Sequence, residues 1–414
     1  MDRIAPPSPC SHEGCRRQTS RHHPQPQELG HTEERVAVTH YGFLSTYPPT
    51  RCGLATFTEA LAGALTVDSS DTAAIVRVLE APDDAQPRGI RASVRVAADL
   101  VARDRRSMAV AVASLDECDV AVVQHEYGIY GGQDGDEILD VLAAVTTPTI
   151  VVLHTVLPAP TSHQRLVLER VCALATSVVV MTSGARDILI EHYAVDAADV
   201  HVIPHGVANL AVEVGSPHLR KRILTWGLIS PGKGIEWGIR AIAQLGDLDH
   251  EVEYVVAGQT HPKVLAHAGE SYRTGLTDLI GELGIQSSVH LDGRYLDAGE
   301  LATLVASADV VLLPYDSRDQ ATSGVLAEAV AAGIPVVATG FPHAVELLAG
   351  GAGIVVAHED PQSMASALRT ILTADDVARR MREVALRAAS KTSWPAVADR
   401  YRLLFEDLRA AKAA

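Results

Sequence analysis

A chain of 414 residues is too long for one ordinary hydrophobic core and comfortable for two domains of about 150 to 200 residues each. With 47% hydrophobic, 21% charged and only 4% aromatic residues, it reads as soluble and globular, with Val, Leu, Ile and Ala as core material. A formal net charge of -16 argues against a broad nucleic-acid surface, which needs clustered Lys and Arg, and leaves room for a local anion site.

The N-terminal segment 1–34 is rich in Pro, Gln and Ser and lacks hydrophobic periodicity, so a disordered tail is expected. Cys10 and Cys15 with His12, His22 and His23 could be drawn as a metal site, but the composition favours disorder. With Cys52, Cys118 and Cys172 they form no CxxC pair and no even framework, which implies reduced thiols. No apolar run approaches the roughly 20 residues that span a bilayer, and the N-terminus has no apolar signal core. The expectation is a cytoplasmic protein without stable membrane insertion.

From Arg35 onward, short apolar runs alternate with helical segments, the pattern of parallel sheets covered on both faces. The first half offers strands RVAVTHY, TAAIVRV, DVAVVQH, PTIVVLH, TSVVVMT and VHVIPHG. Helices are expected near 54–65, 100–114, 161–175 and 183–192. Ala208 to Arg222 reads as a linker. The alternation then restarts with ILTWGLI, VEYVVAG, SVHLDG, DVVLLPY, IPVVATG and AGIVVA, and 375–412 reads as consecutive helices. The fold class is therefore α/β, two doubly wound Rossmann-like domains facing a central cleft. The domains are 35–210 and 211–390, followed by a C-terminal helix over 391–414. Ligands of such sheets bind outside the carboxyl ends of the strands, so function is sought in the strand-to-helix loops.

Four loops stand out. In PYDSRDQATSGVLAEAVAAG, Ser323 is a natural N-cap, and Gly324 and Val325 would present unpaired N–H groups at the positive end of a helix. Glu328 lies one turn deeper on the same face; it suits a pair of hydroxyls such as a ribose diol, or is simply a solvent-facing acid on a packing helix. In WGLISPGKG, Lys233 could place a charge on a phosphate oxygen or be an ordinary solvated turn lysine. In YPPTRCGLATF, Gly53 opens a helix and would let a ligand approach the backbone, or marks a plain turn. In VVQHEYGIYGG, His125 and Glu126 end a buried strand, where a binding role competes with a structural one; His154 is a similar but weaker candidate. Asp134 to Asp136, DGD, is read as acids at a helix start rather than as a metal site.

Together these residues resemble the retaining glycosyltransferases of family 4, the glycosyl transferases group 1, which have the two-domain GT-B fold. The resemblance covers about 35–410 and is most specific in SGVLAEAVAAGIPVVATG. Family members carry two glutamates eight positions apart here; the second matches Glu328 and the first falls on Gln320. An arginine common before the lysine of the second-domain glycine loop is replaced by Leu228. The resemblance implies a catalytic set of His125, Lys233 and Gln320. It places the donor diphosphate on Gly53, Lys233, Ser323, Gly324 and Val325, the ribose on Glu328 and the base near Gly293 and Arg294.

It further implies a hexose, mannose or glucose among the candidates, moved with retention from a nucleoside diphosphate sugar to a saccharide, lipid or small-molecule hydroxyl. No metal or other cofactor is expected. The alternatives are a catalytically weak nucleotide-sugar-binding or partner subunit, suggested by Gln320 and Leu228, and a nucleotide-sugar epimerase of the same fold. A phosphorylase is disfavoured, since those of this fold use a lysine-bound pyridoxal cofactor and are longer. Arg103, Arg105 and Arg106 are the nearest candidates for peripheral membrane contact, diluted by Asp99 and Asp104.

Overall fold

The computed structural model describes residues 38–67, 70–81, 93–208, 220–248 and 251–413. The expected tail, with Cys10, Cys15 and its three histidines, and most of the expected linker lie outside the described residues. Cys52, Cys118 and Cys172 are free thiols.

Strands and helices alternate as the apolar runs require. The first half contains β1 (His40–Ser45), α1 (Gly53–Thr66), β2 (Thr72–Leu79), β3 (Val94–Val101), α2 (Arg105–Asp116), β4 (Val120–His125), α3 (Ile138–Ala144), β5 (Thr149–Leu153), α4 (Ser162–Leu174), β6 (Ser177–Val180), α5 (Ser183–His192) and β7 (Val200–Val202). The second half contains β8 (Lys221–Trp226), α6 (Ile235–Ile242), β9 (Val252–Ala257), α7 (Pro262–Ala268), α8 (Ser271–Glu282), β10 (Val289–Asp292), α9 (Ala298–Ala306), β11 (Val310–Leu313), α10 (Gly324–Ala331), β12 (Val336–Thr339), α11 (Pro342–Leu348), β13 (Gly353–Val356), α12 (Pro361–Thr373), α13 (Asp375–Ala389) and α14 (Trp394–Ala413).

The strand orders are β3-β2-β1-β4-β5-β6-β7 and β10-β9-β8-β11-β12-β13. The pairings that build both sheets are parallel. The chain order therefore reverses between β1 and β4 in one sheet and between β8 and β11 in the other. Crevices open at such switch points, because the two flanking helices leave on opposite faces. The four loops singled out above follow β1, β4, β8 and β11, so all four lie at a switch point.

Three elements depart from the sequence reading. Of the expected strand RVAVTHY, 35–37 lie outside the described residues and Val38 and Thr39 precede the strand, which runs His40–Ser45 and pairs with β2 from His40↔Thr72 to Ser45↔Arg77. Gly42 sits inside it because α2 packs close there: an added Cβ would lie 3.1 Å from Leu115 Cδ2. The expected helix 100–114 begins only at Arg105, capped by Asp104, whose carboxylate accepts from the Arg106 and Ser107 amides. Before it runs β3, which the reading lacked. Its alternation of buried and more open positions is that of a strand with one packed face, but Ala97, Ala98, Asp99 and Arg95 blur the period. DGD lies at a short 3-10 helix, Gln133–Gly135, just ahead of α3, with Asp134 in its first turn, and Asp134 and Asp136 bracket His163 at 2.9 and 3.6 Å.

The C-terminal chain returns to the first half. Val207 N–H donates to Thr392 O, and Trp394 N–H donates back to Val207 O. α14 then buries Val397, Ala398, Tyr401, Leu404 and Phe405 against Tyr41, Phe43, Phe57 and Leu61. No helix among the described residues is long and apolar enough to cross a membrane.

Candidate functional site

The second half brings the Lys233 loop against the Pro314–Asp316 segment of the loop that leads into α10. Gly234 takes a left-handed conformation, φ 57°, against the Pro314 carbonyl, where an added Cβ would collide. Asp316 N–H donates to Gly232 O at 3.0 Å. The two loops are thereby knitted together, and Lys233 Nζ lies 4.0 Å from the centroid of the Tyr315 ring. Tyr315 is itself fixed by stacking on Phe341, centroids 5.2 Å apart.

Ser323 caps α10: its hydroxyl accepts from Leu326 N–H at 3.2 Å. Its own N–H is already used, donating to His343 Nδ1 at 2.8 Å. The Gly324 and Val325 N–H groups find no acceptor among the described residues, so two amides stand open at the helix N-terminus. One turn deeper, Glu328 accepts from Trp226 Nε1–H at 3.2 Å. It is largely buried with an edge open to solvent, and burial raises its pKa against the lowering effect of Trp226.

Gln320 lies at the rim of this patch, its Nε2 donating to Thr322 O at 3.1 Å. Leu228 is half-buried. Gly53 is exposed, and an added Cβ there would meet no described atom within 4 Å, so the start of α1 has open space beside it. Gly293 and Arg294 are exposed, but the Arg294 guanidinium is folded onto Asp292 at 2.7 Å. Beside them Tyr295 carries the Arg51 guanidinium 4.8 Å above its ring, and Arg51 also donates to Gln259 Oε1 at 3.3 Å.

The first half contributes a group of histidines. His125 is fully buried at the end of β4, and neither ring nitrogen has a partner among the described residues. Its ring packs edge-on to Tyr127, centroids 5.2 Å apart. Burial lowers its pKa to about 4. His154 Nε2 meets Gln124 Oε1 at 2.6 Å, while Gln124 Nε2 is buried without a partner among the described residues. Burial, then the charges of His205 and His125, lower the His154 pKa to about 3. His205 donates from Nδ1 to Gly206 O at 2.7 Å and packs edge-on to Phe57, and burial lowers its pKa to about 4. An added Cβ on Gly324 would sit 3.3 Å from His205 Nε2, so this histidine of the first half adjoins the open amides of the second.

Further contacts join the halves. Lys263 Nζ donates to Gly128 O at 3.0 Å. Glu346 of α11 accepts from Ser183 N–H and Gly184 N–H at 2.9 and 3.0 Å, closing the N-terminus of α5. Ala321 packs into the first half's core.

The sequence reading did not single out His205, His343, Lys263, Glu346 or Arg51. Two of these had a usable signal: His205 ends a strand run in VIPHG, and Arg51 precedes the glycine loop. Among the described residues there is no group of three His, Cys, Asp or Glu side chains that could hold a metal ion.

Residues 220–374 match the family described as Glycosyl transferases group 1. The chain is 30% identical over 266 residues to the D-inositol 3-phosphate glycosyltransferase of Corynebacterium jeikeium, covering 59% of this chain and 60% of that one. It is 30% identical over 240 residues to the MMP alpha-(1->4)-mannosyltransferase of Mycolicibacterium hassiacum, covering 57% and 54%. It thus spans about 60% of the length of the first curated relatives it matches. Among solved structures, sucrose-phosphate synthase from Thermosynechococcus elongatus superposes with a TM-score of 0.70 at 16% identity, covering 90% of this chain and 100% of that one. HepE of Anabaena, solved in complex with UDP, gives 0.69 at 17% identity, covering 89% and 100%. Residues 220–374 are thus similar to the glycosyl transferases group 1, and the described chain from β1 to α14 has the GT-B fold of these solved structures.

Proposed function

We propose that this protein is a retaining glycosyltransferase of family 4 that moves a hexose from a nucleoside diphosphate sugar to a hydroxyl acceptor. The observation that carries the reading is the patch at α10: two open amides at Gly324 and Val325, Glu328 one turn below, and Lys233 held on Tyr315. Amides and lysine suit a diphosphate, and the carboxylate suits the adjoining ribose diol. A neighbour by fold is solved with UDP-glucose and a relative is named a mannosyltransferase, which supports a hexose donor.

In this reading the hard event is departure of the nucleoside diphosphate as charge builds on its oxygens. Lys233 and the α10 amides meet that charge from fixed positions, so little reorganisation is needed during cleavage. We assign this role to protein groups and none to a metal. His125, neutral and without a partner among the described residues, offers either a donor or an acceptor to a sugar hydroxyl at the end of β4. Gln320 hydrogen-bonds the sugar without contributing charge. Contacts of the Glu346–α5 kind close the two halves over the donor and exclude water. By resemblance the acceptor attacks from the leaving-group side and its proton passes to the departing diphosphate. A cytoplasmic location goes with this donor class.

The test is a thermal-shift screen of UDP, GDP and ADP with their common sugar conjugates, since a ligand of the native state raises the melting temperature. No shift with any of them refutes the reading. Lys233→Ala is expected to slow transfer by about a hundred- to a thousandfold, an effect of the size seen when one charge-stabilising group is lost. A catalytically weak binding subunit is the second reading, favoured by Leu228 and by the turn of Gln320 into its own loop. It is distinguished by nucleotide binding without turnover of any donor.

A further inference from the structure

The β4 and β5 ends hold a carboxylate that the donor site does not use. Glu126 follows β4 directly, and Thr155 lies two residues beyond β5, its neighbour in the sheet. Thr155 Oγ1–H donates to Glu126 Oε2 at 2.5 Å, and Tyr127 N–H donates to Oε1 at 3.1 Å. An ionised carboxylate accepts at about four positions, and among the described residues no further bond to this one is found. The same strand end holds Gln124 Nε2 and both ring nitrogens of His125, buried and without partners among the described residues. These groups lie on the wall of the first half that meets the second, because Lys263 of α7 reaches across to Gly128 O and its charge acts on Glu126. This strand end thus carries polar groups left without partners among the described residues, beside the free positions of Glu126.

Its charge is equally specific. His125, His154 and His205 are held neutral by burial. Lys233 sits on Tyr315 and Arg51 on Tyr295 and Gln259, both toward the nucleotide side, while Lys263 is tied to Gly128. A carboxylate is therefore the charged side chain that the first-half wall itself offers beside His125.

We propose that Glu126, with Thr155, selects the acceptor by charge, taking an uncharged polyhydroxyl compound and rejecting phosphorylated ones. This rests on the glycosyltransferase reading above. Hydroxyls donate to the free positions of the carboxylate, whereas a phosphate brings a second anion against it, and the one ammonium that reaches this strand end, Lys263, is already engaged by Gly128 O and by the Glu126 charge itself. The D-inositol 3-phosphate glycosyltransferases to which the chain is similar are named for a phosphorylated compound, so the inference separates this chain from them.

The experiment gives the full-length protein one donor and matched acceptor pairs: myo-inositol against inositol 3-phosphate, and glucose against glucose 6-phosphate. Expected is a kcat/KM at least tenfold higher for the uncharged member. Glu126→Gln brings the ratio toward unity, and Glu126→Asp keeps a preference for the uncharged member. Where neither member of a pair is glycosylated, the same ratio is read from their inhibition of donor hydrolysis. A preference of the native protein for the phosphorylated member, or a ratio unmoved by Glu126→Gln, overturns the assignment. Both outcomes leave nucleotide binding in place, whereas absence of binding to UDP, GDP and ADP removes the underlying glycosyltransferase reading and this inference with it.

Discussion

Replacing Glu328 with glutamine should weaken nucleotide binding without weakening the fold. In the free protein the carboxylate accepts a hydrogen bond from Trp226 Nε1–H at 3.2 Å, and burial disfavours its ionised form. Glutamine keeps an oxygen for Trp226 and removes the buried charge, so the melting temperature should stay level or rise. Bound nucleotide reverses the balance, because ribose hydroxyls donating to a carboxylate form charge-assisted bonds worth about 1.5–3 kcal/mol. Their loss corresponds to roughly ten- to a hundredfold in Kd. UDP, GDP and ADP share the ribose, so whichever binds should show the same loss by calorimetric titration. An unchanged Kd would make Glu328 merely an acid on a packing helix. A fall in melting temperature as large as that of Glu328→Ala, which strands the indole N–H, would make it structural.

Other outcomes follow from the same geometry. Gly234→Ala forces a side chain into a left-handed conformation against the Pro314 carbonyl; it should cost about 2 kcal/mol or more and abolish nucleotide binding, whereas Gly53→Ala, beside open space, should leave the melting temperature within about a degree or two. Stability should fall as the pH falls, because His125, His154, His205 and His343 have folded pKa values lowered to about 4, 3, 4 and 3. The unfolded chain takes up these protons first, so each histidine removes up to about 1.4 kcal/mol per pH unit between about pH 6.5 and 4. Glu126 and Glu328, whose pKa values are raised, oppose this only below their own folded values. Urea midpoints that stay flat from pH 7 to 5 would contradict it. Glu346→Ala frees the Ser183 and Gly184 amides and should cost about 1–2 kcal/mol of inter-half contact. Small-angle scattering should then report a larger radius of gyration without nucleotide; an unchanged radius would show that this contact does not hold the halves.

Local sequence was sufficient wherever the decisive physics was local. The β-branched runs of the second half specify strands, buried on both faces in β11 and β12 and more open in the edge strands β10 and β13, and all six expected there are present. Ser323 as N-cap of α10 and the turn at Gly333, φ 70°, follow from short-range backbone needs that the sequence displays directly. The β3 strand was illegible because its pattern depends on having β2 beside it, and an alanine-rich segment with alternating charges fits a helix as well until that neighbour is known.

The site divides in the same way. That Lys233 comes from a different loop to the patch at α10 was readable as a possibility, but only the folded chain sets it on Tyr315 beside that patch. The convergence of His125, His154, His205 and His343, and the reach of Lys263 to Gly128 and Glu346 to α5, join residues far apart in sequence. No periodicity or spacing encodes such pairs. Sequence by itself determined most strands of the two sheets and the loops at their carboxyl ends, because strand burial and helix capping act over a few residues. Tertiary structure decided which groups are buried, paired or left open, because those properties belong to the space between the halves and not to either segment alone.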